Sequence, residues 1–517
     1  METYALFTPV IIPARRLTRL LLFAVPPLVG LLVLVLGRDL GLPPMYGRLG
    51  FDLLPTAGWL SGNPALDLLF SLLTGHLEAR TAVFVVATIQ GLGFVLLFLL
   101  AHRSLVIDGA GRKVAVCSAV AAVGLFGGAG QTLLGTTVAD SVTGPGLLTT
   151  LLLLLAGRRL LLTPSPFIAM LTALGCGLPA GLMAGLQPTL LLVALGFAGA
   201  PLAIRTGWRR RLLLTAGCTF GVLLGFALAY GPWAWFLVRE FGGAAVPGLD
   251  TFVPPAGWWR RLAAPAAFLD LALPAGETPW RDLRLPLLAL LLPVCVLPGL
   301  LFGRSRSEPL ATPFATRLLL AAGALALFGW LLSPVSARQP FALELLAPLL
   351  LVLALGLLPA SLPCRGRVAV SLLFLVAYTA QPGHTNQRPQ GTDRTILATA
   401  PLAEADKAMV LVAGFSPATP PRHLFPAEVP LVRIQGAGIS PEVHGPFSTR
   451  VRQRVRNHNG SFHLLIPEGQ LALGQEALAH YGLLVAAPTC RSVSDDPAAE
   501  RLHLCAVQPT RYLATLP

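Results

Sequence analysis

Long apolar stretches recur along this chain, and charged or Pro/Gly-rich connections separate them. They are Leu20–Leu36, Thr81–Ala101, Val114–Leu134, Leu147–Leu155, Phe167–Leu186, Thr189–Ile204, Leu212–Phe236, Leu285–Phe302, Leu318–Leu332, Phe341–Leu358 and Val368–Ala380. Most approach the roughly 20 residues an α-helix needs to cross a hydrocarbon core of about 30 Å. A helix apolar on every side has no polar face to offer water, and a soluble fold could not hide so many. The pattern predicts an α-helical polytopic membrane protein of about eleven transmembrane helices over residues 1–380.

Beyond residue 380 the pattern changes. Residues 381–405 read as a polar linker, with turn signals at Gln381-Pro382-Gly383 and Arg388-Pro389-Gln390-Gly391. In residues 406–517 the apolar runs shorten to strand length at Met409–Val412, Leu431–Ile434, Ser461–Leu465, Leu483–Ala486 and Leu502–Val507. Leu471–His480 reads as a helix stopped at Tyr481-Gly482. A small soluble C-terminal α/β domain is expected.

Charge adds orientation. The 517 residues are 54% hydrophobic and 12% charged, with a net charge of +14, against about 25% charged residues in an ordinary soluble domain. The arginines form short clusters between apolar segments and no patch interleaves them with aromatics, which argues against nucleic acid. Arg15, Arg16 and Arg19 open the series; His102, Arg103, Arg112 and Lys113 follow. Arg158 and Arg159, then Arg205 and Arg209–Arg211, then Arg304 and Arg306, then Arg365 and Arg367 complete it, marking every second connection. By the positive-inside rule these connections are cytoplasmic, with the N-terminus inside and the tail outside. The parity requires Phe167–Ile204 to break near Gln187–Pro188. No small-residue cleavage site follows the first apolar run, so it is expected to stay as an anchor.

Two outward connections, residues 38–80 and 238–284, are long. Pro64–Leu73 is half-apolar and too short to span, which suits an interfacial or re-entrant helix. Trp258, Trp259 and Trp280 suit anchors at the membrane interface. Acids gather on this outward side: Asp39, Asp52, Asp67, Glu78, Asp140, Glu240, Asp250 and Glu344, beside Arg48, Arg239 and Arg338. A carboxylate at the membrane edge serves as a general base on an acceptor hydroxyl or holds a divalent metal. An arginine there grips phosphate with two parallel N–H bonds. Glu344 lies inside an apolar run and needs a partner or a water-filled cavity. Cys490 and Cys505 lie in the outward tail, where an oxidising compartment favours a disulfide; most of the other cysteines lie in or beside apolar segments as packing residues.

Several short motifs follow one another in a recognisable order. They are Gly47-Arg48-Leu49-Gly50-Phe51-Asp52 with Pro55, Asn63-Pro64-Ala65-Leu66-Asp67, and Gly135-Thr136-Thr137-Val138-Ala139-Asp140. Gly185-Leu186-Gln187-Pro188-Thr189, Trp235–Pro247 with Arg239-Glu240-Phe241-Gly242, and Arg338-Gln339-Pro340-Phe341-Ala342-Leu343-Glu344 complete the series. In that order the chain resembles bacterial polytopic glycosyltransferases of the C-type superfamily, which use lipid-phosphate-linked sugars. The resemblance covers most of residues 17–360 and, loosely, the tail. It implies an active site in the outward loops of a bacterial inner-membrane protein. It also implies a polyprenyl-phosphate sugar donor and a glycan, lipid or protein acceptor, both met in or at membrane lipid.

On this resemblance Asp39 and Asp52 are the candidate catalytic acids. Arg48, Asp140, Gln187, Arg338 and Glu344 are the candidate substrate-binding residues. The chain departs from the group in three places. An Asp-x-x-Asn-Tyr-His element before Asp52 is replaced by the shorter Arg38-Asp39-Leu40-Gly41, the turn Lys is Gln187, and the Tyr after Arg338 is Gln339. Two other readings fit the apolar pattern: a transporter of lipid-linked sugar, and a non-catalytic membrane scaffold whose tail binds a partner.

Overall fold

The computed structural model describes residues 14–35, 77, 79–134, 140–241, 282–301, 310–332, 341–358, 361–380, 407–414, 425, 429–435, 441–442, 446–486, 489–492 and 502–510. Thirteen α-helices among them build the membrane body: α1 (Ala14–Val35), α2 (Ala79–Ser104), α3 (Ala110–Leu125), α4 (Gly128–Leu133), α5 (Asp140–Ala156), α6 (Arg158–Leu161), α7 (Pro166–Leu186), α8 (Leu191–Ala198), α9 (Trp208–Phe241), α10 (Arg284–Leu301), α11 (Pro313–Leu332), α12 (Phe341–Leu355) and α13 (Leu362–Thr379). Prolines inside α1, α5, α7, α9 and α12 are tolerated because neighbouring helices in a membrane bundle re-satisfy the freed backbone groups.

The chain is a polytopic helical membrane protein. Six helices among the described residues are long and apolar enough to span: Thr18–Val35, Val83–Ser104, Pro166–Leu186, Trp208–Phe236, Pro313–Leu332 and Leu362–Thr379. Ser141–Ala156, Pro188–Ala203, Arg284–Val294 and Phe341–Leu355 are shorter apolar helices beside them. Large apolar side chains face outward on several, such as Phe23, Phe374 and Tyr378 at 80%, 71% and 78% exposure. That surface suits lipid rather than water. The centre is α12, whose side chains are buried from Phe341 to Leu355, Glu344 included. It packs on α3, α5, α10, α11 and α13.

Two expected spans are interrupted. Val114–Leu134 was expected to be one span; instead α3 ends at Leu125 and α4 starts at Gly128. The cause is local and tertiary together. Gly127 leaves space that the Arg284 guanidinium fills, and a Cβ there would fall on it. Thr189–Ile204 is also discontinuous. It runs as a 3-10 turn at Pro188–Leu190, then α8, then a second 3-10 turn at Ala200–Ala203.

Glycines join α7 to α9. Gly177, Gly181 and Gly185 face α9, where a Cβ would strike the backbone at Cys218, Val222 and Phe226. In return Gly217, Gly221 and Gly225 face α7 at the carbonyls of Met170, Leu174 and Leu178. Each helix therefore carries glycine at every fourth position on one stripe. The backbones approach closely, which is how membrane helices associate where burial from water offers no driving force.

The two ends of the bundle differ in chemistry. At one end α2 turns into the segment before α11: Val106 N–H donates to Leu310 O and Thr312 N–H to Ser104 O, both at 2.9 Å. Arginines secure the connections there. Arg158 stacks 5.0 Å from the Phe314 ring centroid. Arg210 donates to Leu161 O at 2.8 Å and also to Thr163 O, and Arg365 donates to Gly356 O at 2.7 Å. The opposite end holds the α3–α4 break and the starts of α5, α10 and α12.

A small mixed-sheet domain closes the chain. Its strands are β1 (Ala408–Val412), β2 (Leu431–Arg433), β3 (Ser461–Pro467), β4 (Leu483–Val485), β5 (Arg491–Ser492) and β6 (Leu502–Pro509). The order is β2-β1-β3-β6-β4, with β5 also on β6. β1 is parallel to β2 and β3, while β6 is antiparallel to β3, β4 and β5. Helix α14 (Pro446–Arg456) leads from β2 to β3, and α15 (Leu471–Ala479) from β3 to β4. Phe447, Val451 and Val455 of α14 share a core with Met409, Leu411 and Leu464 of the sheet. Cys490 and Cys505, 15 residues apart, are joined by a disulfide. Trp233 of α9 packs against this core, and α9 touches α14.

Candidate functional site

The polar residues at the end of the bundle opposite the arginines form two connected groups. The first is built around Arg284, the first residue of α10. Asp282 and Arg284 are both buried, at 0% and 1% exposure. Arg284 Nε donates to Asp282 Oδ1 at 3.0 Å, and Nη2 lies 2.8 Å from Asp282 Oδ2. The Asp282 carboxylate also accepts the Arg284 backbone N–H and the Gly128 N–H, each at 2.9 Å. Arg284 Nη1 reaches Gly124 O at 2.8 Å and Glu344 O at 3.2 Å.

One ion pair thus ties three elements together: the α3–α4 break, the start of α10 and the first turn of α12. An isolated charge at this depth would be prohibitive, and this geometry answers it with multiple bonds. The glycines are required. Gly127 makes room for the guanidinium, and a Cβ on Gly124 would stand 2.7 Å from Leu345 O. With both carboxylate oxygens engaged, the pair is arranged for holding the site rather than for proton transfer.

The second group lies where α5 starts and α7 ends. Gln187 caps α7, and its side-chain oxygen accepts the Thr143 hydroxyl at 2.8 Å. Gln90 of α2 donates to Ser141 at 2.7 Å. The Phe341 ring at the start of α12 fills the space left by Gly144 of α5. These contacts place Gln187, the start of α5 and the start of α12 on one end of the bundle.

The sequence-derived candidates divide accordingly. Asp39, Arg48, Asp52 and Arg338 lie outside the described residues. Asp140 begins α5, and its side chain lies outside them too. Gln187 and Glu344 sit at the same end of the bundle; Glu344 is buried at 1% exposure, and its carbonyl is held by Arg284. Asp282 and Arg284 were not among the candidates. Their signal was an Asp-Leu-Arg triplet abutting an apolar run, overshadowed by the tryptophans of the same long connection. Among the described residues no three His, Cys, Asp or Glu side chains converge to hold a metal ion.

Comparisons with known sequences give no relative. No protein-family model matches the chain, and no curated protein matches it. Among solved structures it is similar to the crystal structure of ArnT from Cupriavidus metallidurans bound to undecaprenyl phosphate. The identity is 15%, the match covers 94% of this chain and 97% of that one, and the TM-score is 0.48.

Proposed function

We propose that this chain is a membrane glycosyltransferase. It transfers a sugar from a polyprenyl-phosphate-linked donor to an acceptor on the outer face of the inner membrane. The observation that carries the reading is the ordered motif series from Arg48 to Glu344. Gln187 and Glu344 of that series lie at the end of the bundle away from the arginine-secured connections. On this reading the chain crosses the membrane about eleven times, with the N-terminus cytoplasmic and the tail outside. Residues 1–380 form the membrane body, 381–405 a linker and 406–517 the exported domain.

Asp52, or Asp39 in the shortened loop, removes the proton from the acceptor hydroxyl as that oxygen attacks the anomeric carbon. Arg338, with Arg48, neutralises the lipid phosphate as it leaves. A divalent metal held by the outer carboxylates would serve the same end by taking up phosphate charge. Gln187, neutral where the resembling group has Lys, helps hold the end of α7 against α5. The buried Asp282–Arg284 pair fixes the first turn of α12, and with it Glu344.

The test is sugar transfer by the full chain in membranes supplied with an undecaprenyl-phosphate-linked sugar. Asp52→Asn keeps shape and removes the base, so transfer is expected to fall by about 100-fold or more, the scale of general-base catalysis. Asp39→Asn, run in parallel, identifies the base: the acid that serves is the one whose amide is silent. If both variants transfer at the parent rate, the carboxylates are not catalytic, and the transporter or scaffold reading replaces this one.

A further inference from the structure

We propose that α14 of the C-terminal domain is a membrane-surface element whose exposed arginines bind the phosphates of anionic lipid headgroups. The helix Pro446–Arg456 carries Arg450, Arg452, Arg454 and Arg456 and no acidic residue. Its apolar stripe, Phe447, Val451 and Val455, is buried in the domain core. Arg450, Arg454 and Arg456 are exposed, whereas Arg452 turns inward and donates to Pro441 O at 3.0 Å.

A basic face alone would not choose a partner; the height of this one does. Helix α9 has 34 residues, about 51 Å at 1.5 Å per residue, well beyond the hydrocarbon thickness of about 30 Å. Its charged start, Arg209–Arg211, fixes one interface, and the apolar run begins at Leu212. About 20 residues further, the length of a span, the run reaches Pro232 and then Trp233. Trp235 and Phe236 follow at 71% and 45% exposure. Aromatic residues at that position form the belt of the second interface.

Trp233 is also the residue that packs on the C-terminal domain core, and α9 touches α14. The arginine helix is therefore held at headgroup level, whichever side of the membrane that is. Arginine forks match phosphate oxygens there, and the negative surface potential of anionic lipid draws them in.

The test uses the full chain in nanodiscs, following amide hydrogen exchange. In phosphatidylglycerol-containing discs residues 446–456 are expected to exchange about fivefold more slowly than in phosphatidylcholine discs. That is the factor one arginine at an anionic surface supplies. Raised salt is expected to erase the difference. In R450Q/R454Q/R456Q the lipid effect disappears while β1 and β3 keep their protection. Should that variant lose the sheet protection, R454Q alone at its exposed position is expected to weaken the lipid effect. Equal exchange in the two lipids overturns the proposal. So does an undiminished lipid effect in the triple variant, or in R454Q where that variant replaces it. Inorganic phosphate protecting the helix equally in phosphatidylcholine discs overturns it as well, because the site would then read free phosphate and not the membrane surface.

Discussion

Arg284 shows how much of this membrane body one residue can organise. Its bonds to Asp282, Gly124 O and Glu344 O close the gap where α3 breaks. Arg284→Leu leaves Asp282 buried without its cation, a class of change that costs about 3–5 kcal/mol. The expected result is a sharply lower unfolding midpoint in detergent, with part of the loss recovered in Asp282→Asn/Arg284→Leu. A double variant no better than the single one would show that the ion pair is not the source of the loss. In the C-terminal domain His463 stands in β3 opposite Val410 and Ala506. Burial first, and the charge of Arg491 second, hold its pKa below the ordinary 6.5. The folded domain therefore favours neutral imidazole. Above pH 6.5 the stability is present in full, and it is lost as pH falls below 6.5, where the unfolded chain takes up the proton first. His463→Gln is expected to flatten that acid-side loss in a pH series of urea melts; an unchanged slope would contradict the assignment.

At the scale of elements, close glycine contact between α7 and α9 is the most specific packing in the body. Gly181→Val places a side chain against the Val222 backbone, where nothing flexible can yield. The expected destabilisation is about 3 kcal/mol, the upper range for overpacking. Gly175→Ala is the control: on the same helix its Cβ would meet nothing within 4 Å, so helix propensity makes it neutral or mildly stabilising. Equal losses in both variants would contradict the close contact at Gly181 as the cause. The apolar runs made these helices legible in the sequence, because a lipid-facing helix must be apolar for its whole length. The same logic did not expose the α3–α4 break, whose cause is an arginine from a distant segment. Helix α14 was missed for another reason. Its arginines alternate at Arg450, Arg452, Arg454 and Arg456, which reads as polar chain, while its apolar stripe offers about one residue per turn. Gln187 was legible by motif, and its bond to Thr143 was not. The carboxylates Asp39 and Asp52 rest on the motif order alone.

The molecule as a whole has two chemically distinct ends. The arginine end closes its connections with guanidinium-to-carbonyl bonds. The other end carries Gln187, Glu344 and the Asp282–Arg284 pair, and the C-terminal domain leans on Trp233 in the last turns of α9. A site for lipid-linked sugar requires these polar elements and the C-terminal domain to share one side of the membrane. Impermeant thiol labelling of oriented vesicles tests this most directly, using single reporters Gly111→Cys and Glu468→Cys in a chain carrying Cys364→Ser. Gly111 lies in the first turn of α3 with open space around it, at the arginine end. Glu468 is exposed between β3 and α15. The account predicts that the two reporters label from opposite sides, Glu468→Cys from outside the cell and Gly111→Cys only after the membrane is opened. Labelling of both from one side would contradict the arrangement and, with it, the outward-facing transferase site.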